Sequence, residues 1–312
     1  MGLMGTASSE LRTTGAKVTF RSRLADIVDY RELLLNLVRK ELKVRYKNSA
    51  LGFLWSLLNP AVTIGVFYVI FTLVFHNAIP DFVLFLMSSV LVWNMFQNGT
   101  TAAVGSVVGN APLVKKVWFP REILPLAAVG AALVDFTLQT SVLIIAFAAF
   151  RWRVGWGYMP LIPAALIVAL LFTSACAIWL AAVNVKYRDM QHFLSIAIMV
   201  WFWATPIIYG FQTIGVPLNR HGFGWLPYLN PYTIICMSFQ RALYNRTNVF
   251  TGKCTTPPGQ PLCVRPIQKL LPPHGELWYL GMLALMGLVS VVLLIGASHV
   301  FRRSEGDFAE EL

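Results

Sequence analysis

Charged residues are scarce in this sequence: Asp, Glu, Lys and Arg make up 12% of its 312 residues, against about 25% in an ordinary soluble domain. Hydrophobic residues make up 57% of the chain, and several runs reach the roughly 20 apolar residues that a helix needs to cross a bilayer. The shortage of charge excludes an ordinary soluble protein. The apolar runs predict an all-α integral membrane protein, because runs of this length span membranes as helices.

The sequence also lacks the signature motifs of several enzyme classes. It contains no G-x-x-x-x-G-K-[ST] motif of a nucleotide-binding P-loop, and no G-x-S-x-G or H-E-x-x-H motif of a hydrolase. Its five histidines are dispersed, and its four cysteines do not have the spacing of a metal site. We therefore expect a chain that is not an enzyme and holds no cofactor. One enzyme stays open as an alternative, a membrane-embedded polyprenyl-phosphate glycosyl transferase.

Hydropathy predicts six membrane spans within residues 48–300. They cover about 53–75, 82–104, 123–149, 161–183, 191–209 and 277–300. Lys and Arg are concentrated in alternate loops, which predicts that the tails 1–26 and 301–312 both lie in the cytoplasm. The net charge is +11, and eight of the 25 Lys and Arg residues lie at positions 21–47, just ahead of the first span. This placement favours contact with membrane lipids over contact with nucleic acid.

The segment 27–47 has the periodicity of an amphipathic helix, with charged side chains on one arc and apolar ones on the other. This pattern predicts a helix in the membrane interface, and a break that ends in Gly52 allows a turn into the first span. Two interpretations stay open, a plain membrane anchor or a port for an anionic headgroup that arrives from the cytosol. The port would consist of Arg39, Lys43, Arg45, Lys47, Asn48, Ser49, Leu51 and Gly52.

The external loop, about 210–276, contains an apolar stretch at 226–245 that is too short to span. We favour short re-entrant helices that dip from the outer face, since such backbone persists at membrane depth only where protein or a cavity surrounds it. An amphipathic helix on the outer leaflet is the alternative. Cys254 and Cys263 lie in the polar part of this loop, on the oxidising side of the membrane, so we expect a disulfide between them.

Asp135 is the clearest ionisable residue inside a predicted span. A hydrogen bond between helices, with Gln139 one turn away, is the favoured role, and a proton-coupled exporter of small molecules is the alternative. Aromatic residues inside the spans serve either packing or the stacking of sugar rings, and the sequence leaves both uses open. The candidate channel aromatics are Phe67, Tyr68, Phe71, Trp93, Phe96, Trp201, Phe202 and Trp203.

Five segments, in order along the chain, resemble the permease subunit of ABC-2-type polysaccharide exporters. They are VRYKNSALGFLWSLLNP at 44–60, VWFPREILPLAAVGAALVDF at 117–136, NVKYRDMQHFL at 184–194, WFWATPIIY at 201–209 and LPYLNPYTIICMSFQRALYN at 226–245. That family exports O antigens, teichoic acids and mycobacterial cell-wall galactan. The resemblance implies a homodimer in the bacterial inner membrane that moves a lipid-linked polysaccharide outward. It also implies two copies of a separate ATP-binding subunit, which would hold ATP and Mg.

The resemblance implies roles for particular residues as well. The break at Ser49-Ala50-Leu51-Gly52 is similar to the loop where the lipid pyrophosphate enters, and the re-entrant stretch would line the exit of a channel shared by two protomers. Two segments would contact the ATP-binding subunit. They contain Asn110, Pro112, Leu113, Val114, Lys115 and Lys116 in a coupling helix, and Lys186, Tyr187 and Arg188 in a turn. The abundance of Ala, Val, Arg and Trp is typical of proteins from GC-rich genomes such as those of actinobacteria. It therefore favours galactan as the cargo.

Overall fold

The structure is a computed structural model that describes residues 29–47, 54–70, 79, 81–149, 151–152, 154–250, 267–306 and 308–311. Within these ranges the chain forms twelve α-helices and two short 3₁₀ helices. The α-helices are α1 (Arg31–Tyr46), α2 (Leu54–Tyr68), α3 (Phe82–Val104), α4 (Ser106–Gly109), α5 (Ala111–Lys116), α6 (Ile123–Ala149), α7 (Leu161–Lys186), α8 (Met190–Ala204), α9 (Phe211–Arg220), α10 (Pro231–Leu243), α11 (Glu276–Glu305) and α12 (Phe308–Glu311). The 3₁₀ helices are Trp156–Tyr158 and Leu226–Leu229.

Several predicted features lie outside the described residues. They are the tail 1–26, the port residues Asn48, Ser49, Leu51 and Gly52, the aromatic Phe71, and the cysteines Cys254 and Cys263. The side chain of Tyr68 is likewise outside the description. The predictions made for these residues therefore stay predictions.

Four helical segments among the described residues are long and apolar enough to cross a membrane, judged by length and composition. They are Phe82–Val104, Ile123–Ile145, Trp156–Lys186 and Glu276–Glu305. The predicted spans 82–104 and 123–149 coincide with α3 and α6. The predicted total of six spans is not confirmed. The first of them is described only in part, as α2, and the fifth differs from its prediction.

The fifth predicted span, 191–209, is too long. Its helix α8 ends at Ala204 and has 15 residues, which corresponds to about 22 Å at 1.5 Å per residue. Thr205 is extended, with φ −104° and ψ 134°. The reason is Pro206, because a proline ring clashes with a helical conformation of the residue before it.

Helix α7 lies at the centre of the packing. It runs along α11 and also contacts α3 and α10. Helix α3 packs against α6 and α7 and is buried on almost all sides. A helix so enclosed needs apolar residues all round rather than on one stripe, and α3 is apolar from Phe82 to Phe96 apart from Ser88, Ser89 and Asn94. These helices form the scaffold on which the candidate site is built.

Helix α10 comes from the stretch that the sequence assigned either to a re-entrant helix or to a helix on the outer leaflet. Every residue from Tyr232 to Gln240 is buried, and the helix contacts α3, α7 and α11. A helix lying on a membrane surface would leave one face exposed. The burial of α10 therefore argues against the surface alternative.

The prediction of an all-α chain is wrong in one detail. The strands β1 (Asn248–Phe250) and β2 (Ile267–Lys269) form a two-stranded antiparallel sheet, in which Phe250 pairs with Ile267 and Asn248 with Lys269. Each strand has three residues, which is shorter than the usual strand of five or six. The segment is too brief for an alternating pattern to distinguish it from loop sequence.

Candidate functional site

The basic amphipathic helix is present as α1, and it packs along α6. A Cβ atom added to Gly130 of α6 would lie 2.8 Å from Cγ2 of Val38, so the absence of a side chain at Gly130 lets the two helices approach closely. Leu37 is 6% exposed. Helix formation here is confirmed, while the position of α1 in the membrane interface stays a prediction.

An ion pair joins the end of α1 to α6. The Arg45 guanidinium donates from Nη1 to Oδ2 of Asp135 at 2.5 Å, with the side chains 34% and 6% exposed respectively. Asp135 is thus paired with a residue of the predicted port. This contact between helices agrees with the structural role favoured from the sequence. Periodicity within α6 carries no signal for a partner that lies 90 residues earlier in the chain.

A second polar link connects α1 to the predicted coupling segment. Lys40 donates from Nζ to Oδ1 of Asn110 at 2.5 Å, and Asn110 donates from Nδ2 to the backbone oxygen of Ser106 at 2.8 Å. Asn110 therefore fixes the entry to α5 and holds α1 at the same time. Arg39, Lys43 and Lys47 are exposed on α1 and its end.

The predicted coupling helix divides into a buried and an exposed side. Val114 is 3% exposed and Leu113 packs beside it in a cluster of buried side chains, so these two residues anchor α5 to the rest of the chain. The exposed residues at this end are Pro112, Lys115, Lys116, Val117 and Trp118, and Trp118 is 79% exposed. The exposed side is the one available to a partner protein.

The second predicted contact, the turn after α7, lies at the same end of the molecule. Val185, just before this turn, is buried in the cluster that contains Val114. Lys186, Tyr187 and Arg188 are all exposed, and the Lys186 ammonium lies 5.9 Å from the centroid of the Tyr187 ring. We call this end the basic end, defined by Lys115, Lys116, Lys186 and Arg188. The structure therefore brings the two segments to one end of the chain.

Four of the predicted channel aromatics come together in one group, which we call the aromatic cluster. Its members are Trp93, Phe96, Phe172, Trp201, Phe202 and Tyr232. The ring centroids of Phe96 and Tyr232 are 4.5 Å apart, and those of Phe96 and Trp201 are 5.2 Å apart. The sequence analysis missed Phe172 and Tyr232, because only tertiary packing shows that α7 and α10 face α3.

Burial separates the predicted aromatics by role. Trp93 and Phe96 are 0% and 1% exposed, so within one chain they serve packing. Trp203 is 61% exposed, and Phe67 packs partly buried at the edge of the main core. Trp201 is half-buried and is the cluster member that reaches an open groove.

That groove has a volume of about 360 Å³ and is lined by Trp201, Ala204, Pro206, Tyr209, Phe211, Ile214, Leu218, Leu226, Pro227 and Asn230. The Asn230 side chain organises it. Its Oδ1 accepts from Nε1 of Trp201 at 2.8 Å and from the backbone N–H of Tyr232 at 3.0 Å, and its Nδ2 donates to Oγ1 of Thr205 at 2.9 Å. Asn230 therefore caps α10 and also orients the indole ring of Trp201. A ring face beside polar groups is an arrangement that can hold a sugar.

A family model described as ABC-2 type transporter matches residues 32–244 of the chain. The chain belongs to the ABC-2 type transporter family. This confirms the resemblance of the five sequence segments. The matched range of this ABC-2 chain runs from α1 to the end of α10, and it contains the ion pair, the basic-end segments and the aromatic cluster.

Curated relatives of this ABC-2 chain carry names from polysaccharide transport. It is 31% identical over 287 residues to the O-antigen export system permease protein RfbA of Myxococcus xanthus, which covers 92% of this chain and 98% of that protein. It is 32% identical over 214 residues to RfbA of Klebsiella pneumoniae, covering 69% and 81%. It is 23% identical over 181 residues to the polysialic acid transport protein KpsM of Escherichia coli, covering 56% and 69%.

Proposed function

We propose that this chain is the membrane-spanning subunit of an ATP-driven exporter that moves a polyprenyl-pyrophosphate-linked polysaccharide across the bacterial inner membrane. Movement runs from the cytoplasmic to the outer face, and both termini lie in the cytoplasm. The observation that carries the proposal is the 31% identity to an O-antigen export permease over 92% of this chain. Similarity along nearly the whole length of both chains favours a shared function, because a match confined to one segment would show only that this segment is shared.

Two copies of this chain would work with two copies of an ATP-binding subunit, which would bind ATP and Mg. The basic end offers the contact surface, because Lys115, Lys116 and Trp118 are exposed beside Tyr187 and Arg188. Aromatic residues and arginine are enriched at protein–protein interfaces, and Trp118, Tyr187 and Arg188 supply both types here. Val114 would act from within the chain, by holding α5 in place under that surface.

The port for the lipid pyrophosphate would lie at the end of α1. Lys43, Arg45 and Lys47 present positive charge there, and the break at 48–52 follows directly in the chain. A pyrophosphate group cannot cross an apolar core unaided, whereas a polyprenyl tail can stay in the lipid. Basic residues at the inner edge would recruit the headgroup, and closure of the ATP-binding subunits would open a path for the glycan.

The glycan would leave between two protomers, along the outer end of the aromatic cluster. The complete burial of Tyr232 to Gln240 in α10 supports a re-entrant position, since irregular connections at membrane depth need protein around them. Trp201 and Tyr209 would stack on sugar rings in the groove that Asn230 organises.

The cargo we favour is cell-wall galactan, with O antigen and teichoic acid as the other glycans. The abundance of Ala, Val, Arg and Trp in the sequence is the support for galactan. A proton-coupled exporter of small molecules is less well supported, because Asp135 is held by Arg45. A glycosyl transferase is less well supported too, because the family that matches the chain is a transporter family.

The experiment that tests the proposal is depletion of this chain in its native host, followed by extraction and sizing of glycans linked to polyprenyl pyrophosphate. Full-length lipid-linked polymer trapped on the cytoplasmic side, and released when the wild-type chain is restored, is the expected result. Its sugar composition would identify the cargo. Truncated or missing polymer would assign an enzymatic role instead. Unchanged glycan lipids would exclude polysaccharide export.

A further inference from the structure

We propose that Asp135 is an internal counter-ion that occupies Arg45 until the pyrophosphate of the lipid-linked substrate takes its place. This inference rests on the proposed function. It assigns to Asp135 the role of a threshold: the aspartate sets how strongly an incoming headgroup must bind before it can hold Arg45. A phosphate monoester or diester would fail to displace the carboxylate, and a pyrophosphate would succeed.

The geometry of Arg45 supports such an exchange. Only Nη1 of its guanidinium has a partner among the described residues, which is Oδ2 of Asp135. Since the Arg45 side chain is 34% exposed and bonds no other described residue, solvent reaches part of it, whereas Asp135 is 6% exposed. The carboxylate holds the guanidinium from the protein side, and the open side stays accessible to an anion.

The chemistry of the end of α1 favours a phosphate ligand over a second carboxylate. A guanidinium presents a planar fork of donors that matches phosphate oxygens in a bidentate way. Lys43 and Lys47 lie within one turn of Arg45 and have no carboxylate partner within the part of the chain that the structure describes. A pyrophosphate carries more negative charge than a single carboxylate, so the positive charge of these nearby lysines favours it more strongly.

Competition by Asp135 lowers the affinity for every anion by the same factor, because each must displace the same carboxylate. Headgroups with a single phosphate are abundant in any membrane, but they bind weakly. With the penalty from Asp135, their affinity would be too low for them to occupy the site. The pyrophosphate interacts more strongly, so its affinity would stay high enough for it to occupy the site despite the same penalty. The ratio of the two affinities stays the same, but Arg45 stays paired with Asp135, and free of weakly bound headgroups, until a pyrophosphate arrives.

The test measures binding of two probes, farnesyl pyrophosphate and farnesyl monophosphate, to the full chain with its ATP-binding subunits in nanodiscs of zwitterionic lipid. Asp135→Asn removes the competing charge and keeps the shape of the side chain. We expect it to tighten both probes by about tenfold, the scale of a charge-assisted hydrogen bond, so that monophosphate binding becomes measurable. Arg45→Gln should weaken pyrophosphate binding, and adding Asp135→Asn to it should change nothing further.

A matched control and a second variant keep the result decisive. Arg31→Gln removes the same charge from an exposed position at the start of α1, outside both the ion pair and the predicted port, and it should leave both affinities within about twofold. Asp135→Arg combined with Arg45→Asp retains an ion pair for folding but turns the carboxylate outward, and it should lose pyrophosphate binding. Unchanged binding in that exchange variant, or in a folded Asp135→Asn protein, would overturn the inference.

Failure of the inference is distinguishable from failure of the proposed function. If wild type binds farnesyl pyrophosphate and Asp135→Asn binds it equally well, the counter-ion role is wrong while lipid-pyrophosphate recognition stands. If no protein binds the probe but depletion still traps lipid-linked polymer, the inference is wrong and export stands. If depletion leaves glycan lipids unchanged, both are wrong.

Discussion

The aromatic cluster and the end of α1 hold together by different means. In the cluster, Trp93 and Phe96 each contact several rings and are buried. At α1, Arg45 and Lys40 each rely on a single polar partner and stay partly open to solvent. Dense apolar packing is costly to rearrange, whereas an exposed polar link is weak. The cluster therefore sets the shape of the chain, and α1 is the region able to exchange its contacts.

The strongest test of this difference is Trp93→Ala. The Trp93 side chain is 0% exposed, so its removal leaves a large cavity and should reduce the free energy of unfolding by about 3 kcal/mol or more. Thermal unfolding of the detergent-purified protein, followed by size-exclusion chromatography, measures the effect. Trp203→Ala, at a side chain 61% exposed, is the control and should change the midpoint little. Equal midpoints for the two variants would contradict the packing role.

A smaller loss is expected for Gly210→Ala, at the start of α9. A Cβ atom at Gly210 would lie 2.9 Å from Cα of Leu270 and 3.1 Å from its backbone oxygen, so backbone must move, at a cost of about 1–3 kcal/mol. Gly275→Ala is a matched control, since Gly275 also precedes a helix and its Cβ would meet nothing within 4 Å. The thermal midpoint should fall for Gly210→Ala alone.

Asn230→Ala should cost less again. It removes the acceptor for the N–H of Tyr232 at the start of α10 and the acceptor for the Trp201 indole, and loss of a helix cap costs about 1 kcal/mol. Asn230→Asp keeps the acceptor and serves as the control. Tryptophan fluorescence should report a change around Trp201 in Asn230→Ala and a smaller one in Asn230→Asp. A stable Asn230→Ala protein with wild-type fluorescence would show that the network is dispensable.

The smallest effect on stability, about 0.5 kcal/mol or less, is expected for Lys40→Met. This change keeps the length of the side chain and removes its hydrogen bond to Asn110. If α1 receives motion from the coupling segment, substrate-stimulated ATP hydrolysis by the assembled exporter should fall several-fold while the thermal midpoint stays. Arg31→Met, at an exposed basic residue of the same helix outside the predicted port, controls for the lost charge. Equal ATPase rates in both variants would mean that this link transmits nothing.

The helices themselves could be predicted well from the sequence. The limits of α3 and α6 match their predicted spans because each is a long apolar run that ends at polar, glycine or proline residues. Helix α8 was predicted too long because hydropathy counted Pro206 to Tyr209 as apolar and ignored the effect of proline on the residue before it. The short strands β1 and β2 depend on pairing with each other, which no local pattern contains.

Many residues of the site could be predicted from the sequence, but the contacts between them could not. Residue type and position identified Arg45 and Asn110 as candidates but not Lys40, and the structure adds their partners, Asp135 and Lys40. Trp93 was a candidate for a channel wall, but burial among α3, α8 and α10 depends on long-range packing. Asn230 carried no signal beyond its place before Pro231, since the partners of its amide come from α8 and the segment after it.

The ion pair between Arg45 and Asp135 bears on how the protein is made. An aspartate within an apolar helix raises the cost of inserting that helix into a membrane by about 2.5–3.5 kcal/mol. Arg45 precedes Asp135 by 90 residues, so during synthesis the guanidinium is already present when α6 emerges. Neutralisation by Arg45 would lower the insertion cost of α6, and α1 would act as an assembly aid during biogenesis before it contacts any substrate.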